Sequence, residues 1–105
     1  MKYYIYQLKD ENIPKYGFMS WEYACKHNFS FDDYEKCYEG NIDKFVSPNA
    51  SLEKLYTQFN IGANRPEDFK GHSLSMSDIV VFDEPDGTEY YYCDTVGWEQ
   101  ITRHI

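Results

Sequence analysis

Ile79-Val80-Val81-Phe82, then Glu84-Pro85-Asp86-Gly87, then Tyr90-Tyr91-Tyr92-Cys93 is the stretch that decides how this chain folds. Four consecutive apolar residues suit a strand buried on both faces. The Pro-Asp-Gly group is the strongest turn signal in the chain. The aromatic run after it has the composition of a returning strand. Together they predict a β-hairpin, and the rest of the chain must supply the layers that cover it.

Upstream, Tyr3–Leu8 predicts another strand. Tyr4, Tyr6 and Leu8 share one face, and Tyr3 and Ile5 the other. With both faces apolar, it belongs inside the sheet, and Asn12-Ile13-Pro14 ends it. Ser20 is suited to cap a short helix through Lys26, which Asn28 closes in a left-handed conformation. Tyr34–Tyr38 alternates as a second strand, followed by a Gly40-Asn41 turn. A second helix is predicted over Leu52–Asn60, capped by Ser51, with Leu52, Leu55, Tyr56 and Phe59 on its core-facing stripe. Asn60 or Gly62 ends it. Val96-Gly97-Trp98 and Ile101 close the domain as a last strand or a short helix. The order β-α-β-α-β-β predicts one α+β domain over residues 1–105. Its sheet is a twisted, mainly antiparallel one of four to five strands with two short helices, and a small open barrel is the alternative.

Composition agrees with a folded chain of this size. Hydrophobic residues make up 42% and aromatics 19% of 105 residues, enough for one core and far from a disordered composition. Net charge is −8 and unevenly spread. Residues 1–31 are slightly basic, whereas residues 79–105 carry Asp83, Glu84, Asp86, Glu89, Asp94 and Glu99 against Arg103 alone. These six carboxylates are a candidate acidic binding face. Such a face repels phosphate backbones and attracts basic partners; its plain alternative is a solubilising surface. Direct nucleic-acid binding is not expected, since Tyr90–Tyr92 lack the surrounding Lys and Arg of a stacking platform.

Cys25, Cys37 and Cys93 fit no zinc spacing and cannot all pair within the chain. No apolar leader or membrane-length run occurs. A cytoplasmic setting with three buried or half-buried thiols is expected, with no metal and no cofactor.

His72-Ser73-Leu74-Ser75-Met76-Ser77-Asp78 is the least ordinary segment. Extended, it would place Ser73, Ser75 and Ser77 on one side and Leu74 and Met76 on the other. Asp78 at its end can accept backbone N–H bonds and pin a turn. That makes it a locked strand entry or, functionally, a polar lip of serine hydroxyls with His72, Lys70 and Arg65. A hydrolase triad of His72, Ser73 and Asp78 is disfavoured, because neighbours on a strand diverge and no strained nucleophile turn is present. No catalytic residue is assigned, and the chain reads as non-enzymatic.

Gly71–Phe82 (GHSLSMSDIVVF), Tyr90-Tyr91-Tyr92-Cys93-Asp94 and Gly97-Trp98 resemble the YodL-like family. So do Tyr38-Glu39-Gly40, helix 52–59, Asn64-Arg65-Pro66 with Phe69, and the N-terminal Tyr-Ile-Tyr-Gln-Leu strand leading to Phe18-Met19-Ser20. The resemblance covers nearly the whole chain. Trp98 stands where an aromatic such as Phe is usual, and Cys93 where Val is common. The resemblance implies a bacterial domain often carried on plasmids, conjugative elements and phages, alone or within large proteins tied to antirestriction. A namesake member is linked to interference with the cell-shape cytoskeleton when overproduced. It implies no enzymatic activity and no catalytic residues. The expected function is therefore a mobile-element accessory protein that modulates a host protein. The host protein could be a nucleic-acid-binding enzyme such as a defence nuclease, as in antirestriction or anti-CRISPR action. The alternatives are a regulator of the cytoskeleton or cell division, and a small ligand-binding domain or enzyme using His72–Asp78.

Overall fold

The turn at Pro85-Asp86 closes the expected hairpin, with Glu84 paired to Gly87 at its mouth and Ile79 to Tyr92 at its far end. The computed structural model describes residues 1–43, 47–60, 66, 68–69 and 71–105. Its strands are β1 (Lys2–Leu8), β2 (Tyr34–Asn41), β3 (Ile79–Glu84), β4 (Gly87–Cys93) and β5 (Trp98–Gln100). They form one antiparallel sheet in the order β2-β1-β3-β4-β5. The sheet is open, so the barrel alternative does not apply, and the segment after Gly97 settles as an edge strand followed by a single helical turn, Thr102–His104. β1 lies between β2 and β3, as its two apolar faces require.

Among the described residues three α-helices cover the sheet: α1 (Ile13–Tyr16), α2 (Trp21–Lys26) and α3 (Pro48–Asn60). α1 was not anticipated: Pro14 starts a helical turn rather than only breaking a strand, because its missing N–H is harmless there. α2 begins where expected, with the Ser20 hydroxyl oxygen accepting the Tyr23 N–H at 3.1 Å. Asn28 has a φ of 62°, the left-handed conformation expected of it.

α3 starts a turn earlier than predicted. Ser47 Oγ accepts the Ala50 N–H at 3.3 Å, and Pro48 occupies the first helical position. Ser51 is thus not the cap but a buried residue within the helix. The apolar stripe begins only at Leu52, which is why periodicity placed the start too late. Leu52, Leu55 and Phe59 are fully buried, whereas Tyr56 sits at the edge of the stripe with 39% of its surface exposed.

Strand alternation sorts the aromatic chain into two cores, one on each side of the sheet. Tyr3, Ile5, Val80, Phe82 and Tyr91 pack under α3 with Phe69 and Leu74. Leu8, Tyr34, Ile79, Val81 and Tyr92 pack against Tyr16, Ala24 and Ile101 on the other side. A register shift between β1 and β2 leaves Cys37 unpaired as a bulge. The extra residue brings Lys36 and Glu39 to the same face, where they meet at 2.9 Å.

The caps can be told apart by urea denaturation. Ser47→Ala is expected to cost about 1 kcal/mol, whereas Ser51→Ala should be close to neutral because alanine fits a buried helical position.

Candidate binding surfaces

The 71–78 segment is not an extended lip. It turns twice, with Ser77 in the left-handed region at φ 79° and only 3% exposed. Three bonds hold Ser77 there. Its N–H donates to the Cys93 carbonyl at 3.0 Å, its Oγ accepts the Phe18 N–H at 3.0 Å, and its carbonyl accepts the Tyr34 hydroxyl at 2.6 Å. A non-glycine residue in this region costs on the order of 1 kcal/mol, and these bonds offset it. The serines therefore do not share a side: Ser73 is exposed, Ser75 half-buried and Ser77 buried, while Leu74 enters the core. The alternation expected from an extended backbone fails because Ser77 takes its partners from distant parts of the chain, Phe18, Tyr34 and Cys93, and not from a strand ladder. Arg65 and Lys70, assigned to the same lip, lie outside the described residues.

Asp78 is the centre of the segment. It is 1% exposed, and its Oδ2 accepts the Ser75 N–H at 2.8 Å and the Gln7 side-chain N–H at 3.1 Å. This is the pinned turn that its position in the sequence suggests. Burial raises its pKa to about 8; the bonds from Ser75 and Gln7 pull the other way and do not cancel that effect. Gln7 also donates to the His72 carbonyl at 2.9 Å. Gln7 was missed at the sequence level, although a lone amide in an otherwise apolar strand was the available signal. Gly71 lies so close that a Cβ there would run into the Gln7 side-chain oxygen.

His72 and Asp78 are near one another without forming a dyad. His72 Nδ1 is 2.7 Å from the Ser73 carbonyl, which requires the proton on Nδ1. Nε2 then faces Asp78 Oδ1 at 3.9 Å, beyond hydrogen-bond reach. His72 and Gln7 line an open cavity of about 530 Å³ with Asp10, Glu35, Lys36 and Cys37. Burial, with Glu35 adding to it, pushes the Cys37 thiol up to about 11, so it stays protonated at neutral pH. Cys93 is likewise pushed up, by burial and nearby carboxylates, to about 12. Cys25 is exposed, contrary to the expectation of three sheltered thiols, because its position on the short α2 faces outward. Among the described residues no group of three or more His, Cys, Asp or Glu is placed to hold a metal ion. None of the described helices is long and apolar enough to cross a membrane.

The six carboxylates do not lie on one plane. Pairing of Glu99 with Tyr92, and of Asp83 with Thr88, puts both acids on the α1–α2 side of the sheet. Glu84 and Glu89 alternate to the α3 side, and Asp86 sits in the turn. They wrap the hairpin end rather than form a flat face. Several also serve the fold. Glu89 accepts the Tyr91 hydroxyl at 2.6 Å, and Asp83 lies 3.3 Å from the Thr88 hydroxyl. Asp94 Oδ1 accepts the N–H groups of Trp21 and Thr95.

Two stability measurements follow from this geometry. Tyr34→Phe removes the donor to the Ser77 carbonyl and is expected to cost about 1–2 kcal/mol in chemical denaturation. Asp78 binds its proton more tightly in the folded than in the unfolded chain. Its contribution is therefore complete below the ordinary carboxylate pKa of 3.8 and lost as pH rises through about 8. Asp78→Asn keeps an acceptor without the charge, so it should flatten the decline in thermal midpoint between pH 5.5 and 8.5. Asp78→Ala, which strands two donors, should cost about 2–4 kcal/mol.

No curated protein and no solved structure matches this chain. The profile described as "YodL-like domain" matches residues 2–104, which includes every strand and helix above and the 71–78 segment with its hairpin. The chain therefore belongs to the YodL-like domain family.

Proposed function

We propose that this domain is a non-enzymatic protein-binding module that docks the acidic end of its β3–β4 hairpin onto a basic surface of its partner. In this reading it serves a mobile genetic element in the bacterial cytoplasm by modulating a host protein, such as an enzyme whose groove normally holds nucleic acid. One observation carries the docking surface. Asp83, Glu84, Asp86 and Glu89 surround a single two-residue turn, with Lys2 opposite Asp83 and Arg103 beside a shallow cavity lined by Glu84, Asp86 and Glu89. Negative charge at the tip of a rigid hairpin offers a basic groove a narrow, pre-organised insert. The mobile-element setting comes from the family and not from the geometry.

A second reading is ligand binding at the cavity beside Gln7, Cys37 and His72. The observation favouring it is a buried carboxyl with a raised pKa behind an open cleft.

The two separate by mutation. Replacing Glu84, Asp86 and Glu89 with Lys should abolish co-purification of the partner from host cells while the domain stays folded, at a stability cost of about 1 kcal/mol from the lost Tyr91–Glu89 hydrogen bond. For the parent domain, co-purification should weaken at least about tenfold between 50 and 500 mM salt, as screened ion pairs do. Unchanged co-purification after charge reversal, together with its loss in His72→Ala, would move the docking site to the cleft.

A further inference from the structure

A cavity of about 250 Å³ opens between α3 and the turn joining β4 to β5. Glu53 and Tyr56 reach it from the helix, and Asp94 and Trp98 from the two ends of the turn, with Cys93 and Ser75 among its inner residues. The Asp94 N–H donates to the Gly97 carbonyl at 3.0 Å, and Gly97 takes the left-handed φ of 73° that closes the loop. Thr95 and Val96 are thereby pushed outward, and Val96 is 91% exposed beside the opening.

The chemistry of the lining is one-sided. It holds two carboxylates and two large aromatic side chains, and no Lys, Arg or His among the described residues. Both bonds that Asp94 accepts land on Oδ1, which leaves Oδ2 without a partner among the described residues. Glu53 is exposed on α3, and no described ion pair neutralises it. Two carboxylates from separate elements are too few to cage a metal ion. Carboxylates flanked by aromatic rings suit an organic cation, which the rings attract through their faces and the acids through charge. The volume is that of one long side chain, and the exposed valine at the rim suits a protein surface better than a free amine.

We propose that this cavity is an anchor pocket for one basic side chain of a protein partner, arginine in preference to lysine. A flat guanidinium can lie against Trp98 or Tyr56 while its edge reaches Glu53 and Asp94, which a compact ammonium does less well. The pocket rests on the reading of a basic protein partner and adds a site on a different surface from the hairpin tip.

The test is an NMR titration of the intact domain with N-acetyl-arginine amide, following the Trp98 indole N–H, and with the neutral analogue N-acetyl-citrulline amide. The arginine compound should give a saturable shift at Trp98, and the citrulline compound at least about tenfold weaker binding. Glu53→Gln, on an exposed helical position, should weaken the arginine response about threefold. Asp94→Asn, which keeps an oxygen for Trp21 and Thr95, should weaken it similarly, and Trp98→Phe, followed at the backbone N–H groups of Thr95 and Gly97 in the cavity lining, should retain part of it. Equal binding of the two compounds, or no saturable shift at Trp98, overturns the pocket. Because Glu53 and Asp94 are not among the hairpin residues reversed above, salt-sensitive partner binding alongside a silent Trp98 would reject the pocket alone. Loss of the hairpin effect with an intact Trp98 response would reject the hairpin alone.

Discussion

A carboxyl group buried in the middle of a small domain has to be either paired or protonated, and the arrangement around Asp78 meets that demand by holding three parts of the chain together. The side chain takes N–H bonds from Ser75 in its own segment and from Gln7 on β1, while its backbone pairs with Cys93 on β4. The next residue back, Ser77, is tied to Phe18 and to Tyr34. Segment 71–78 therefore acts as a knot between β1, the hairpin and the layer over the second core. Two costs are built into it: a desolvated acid and a non-glycine residue with positive φ. Hydrogen bonds from Phe18, Tyr34 and Cys93 offset the second, and those from Ser75 and Gln7 reduce the first.

The tyrosines repeat the same logic at larger scale. A chain of this length with 11 tyrosines has to bury many rings and find a partner for each sheltered hydroxyl. Tyr16 donates to Asp33 at 2.8 Å, Tyr92 to the Met19 carbonyl at 2.8 Å and Tyr34 to Ser77. Tyr92 and Tyr34 fasten loops to strands and Tyr16 fastens α1 to the turn before β2, so the rings fill the cores while the oxygens hold irregular backbone in place. Burial raises the pKa of all three, so they remain donors at any physiological pH. The α1–α2 layer is short on regular structure, and these bonds compensate for helices too brief to be stable alone.

With both sheet faces committed to packing, the chemistry left for recognition is at the margins. Polar and acidic side chains collect at the hairpin turn, in the cleft beside Gln7 and His72, and around the β4–β5 turn. Each margin is a loop on a rigid sheet, which is where binding residues are most easily placed without disturbing a core.

Apolar periodicity was sufficient to identify β1 and most of the core face of α3, and a continuous apolar run with the Pro85-Asp86-Gly87 turn signal identified the hairpin, because burial and turn geometry both leave short-range signatures. The Ser20 cap and the left-handed Asn28 were equally legible, since both are set by contacts within a few residues. The capacity of Asp78 to pin a turn could also be read from its position. The early start of α3 also had a local signature, a Ser47 cap followed by Pro48, but apolar periodicity alone does not show it because the stripe begins only at Leu52. What had no local signature was the bulge at Cys37 and the turning path of residues 73–78. Those depend on which distant backbone groups need partners: Phe18, Tyr34 and Cys93 reach Ser77 only once the sheet has assembled. The acidic residues show the same division. Their number and sign were fixed in the chain, but whether they shared a face was decided by strand register, since pairing sends Asp83 and Glu84 to opposite sides of one sheet.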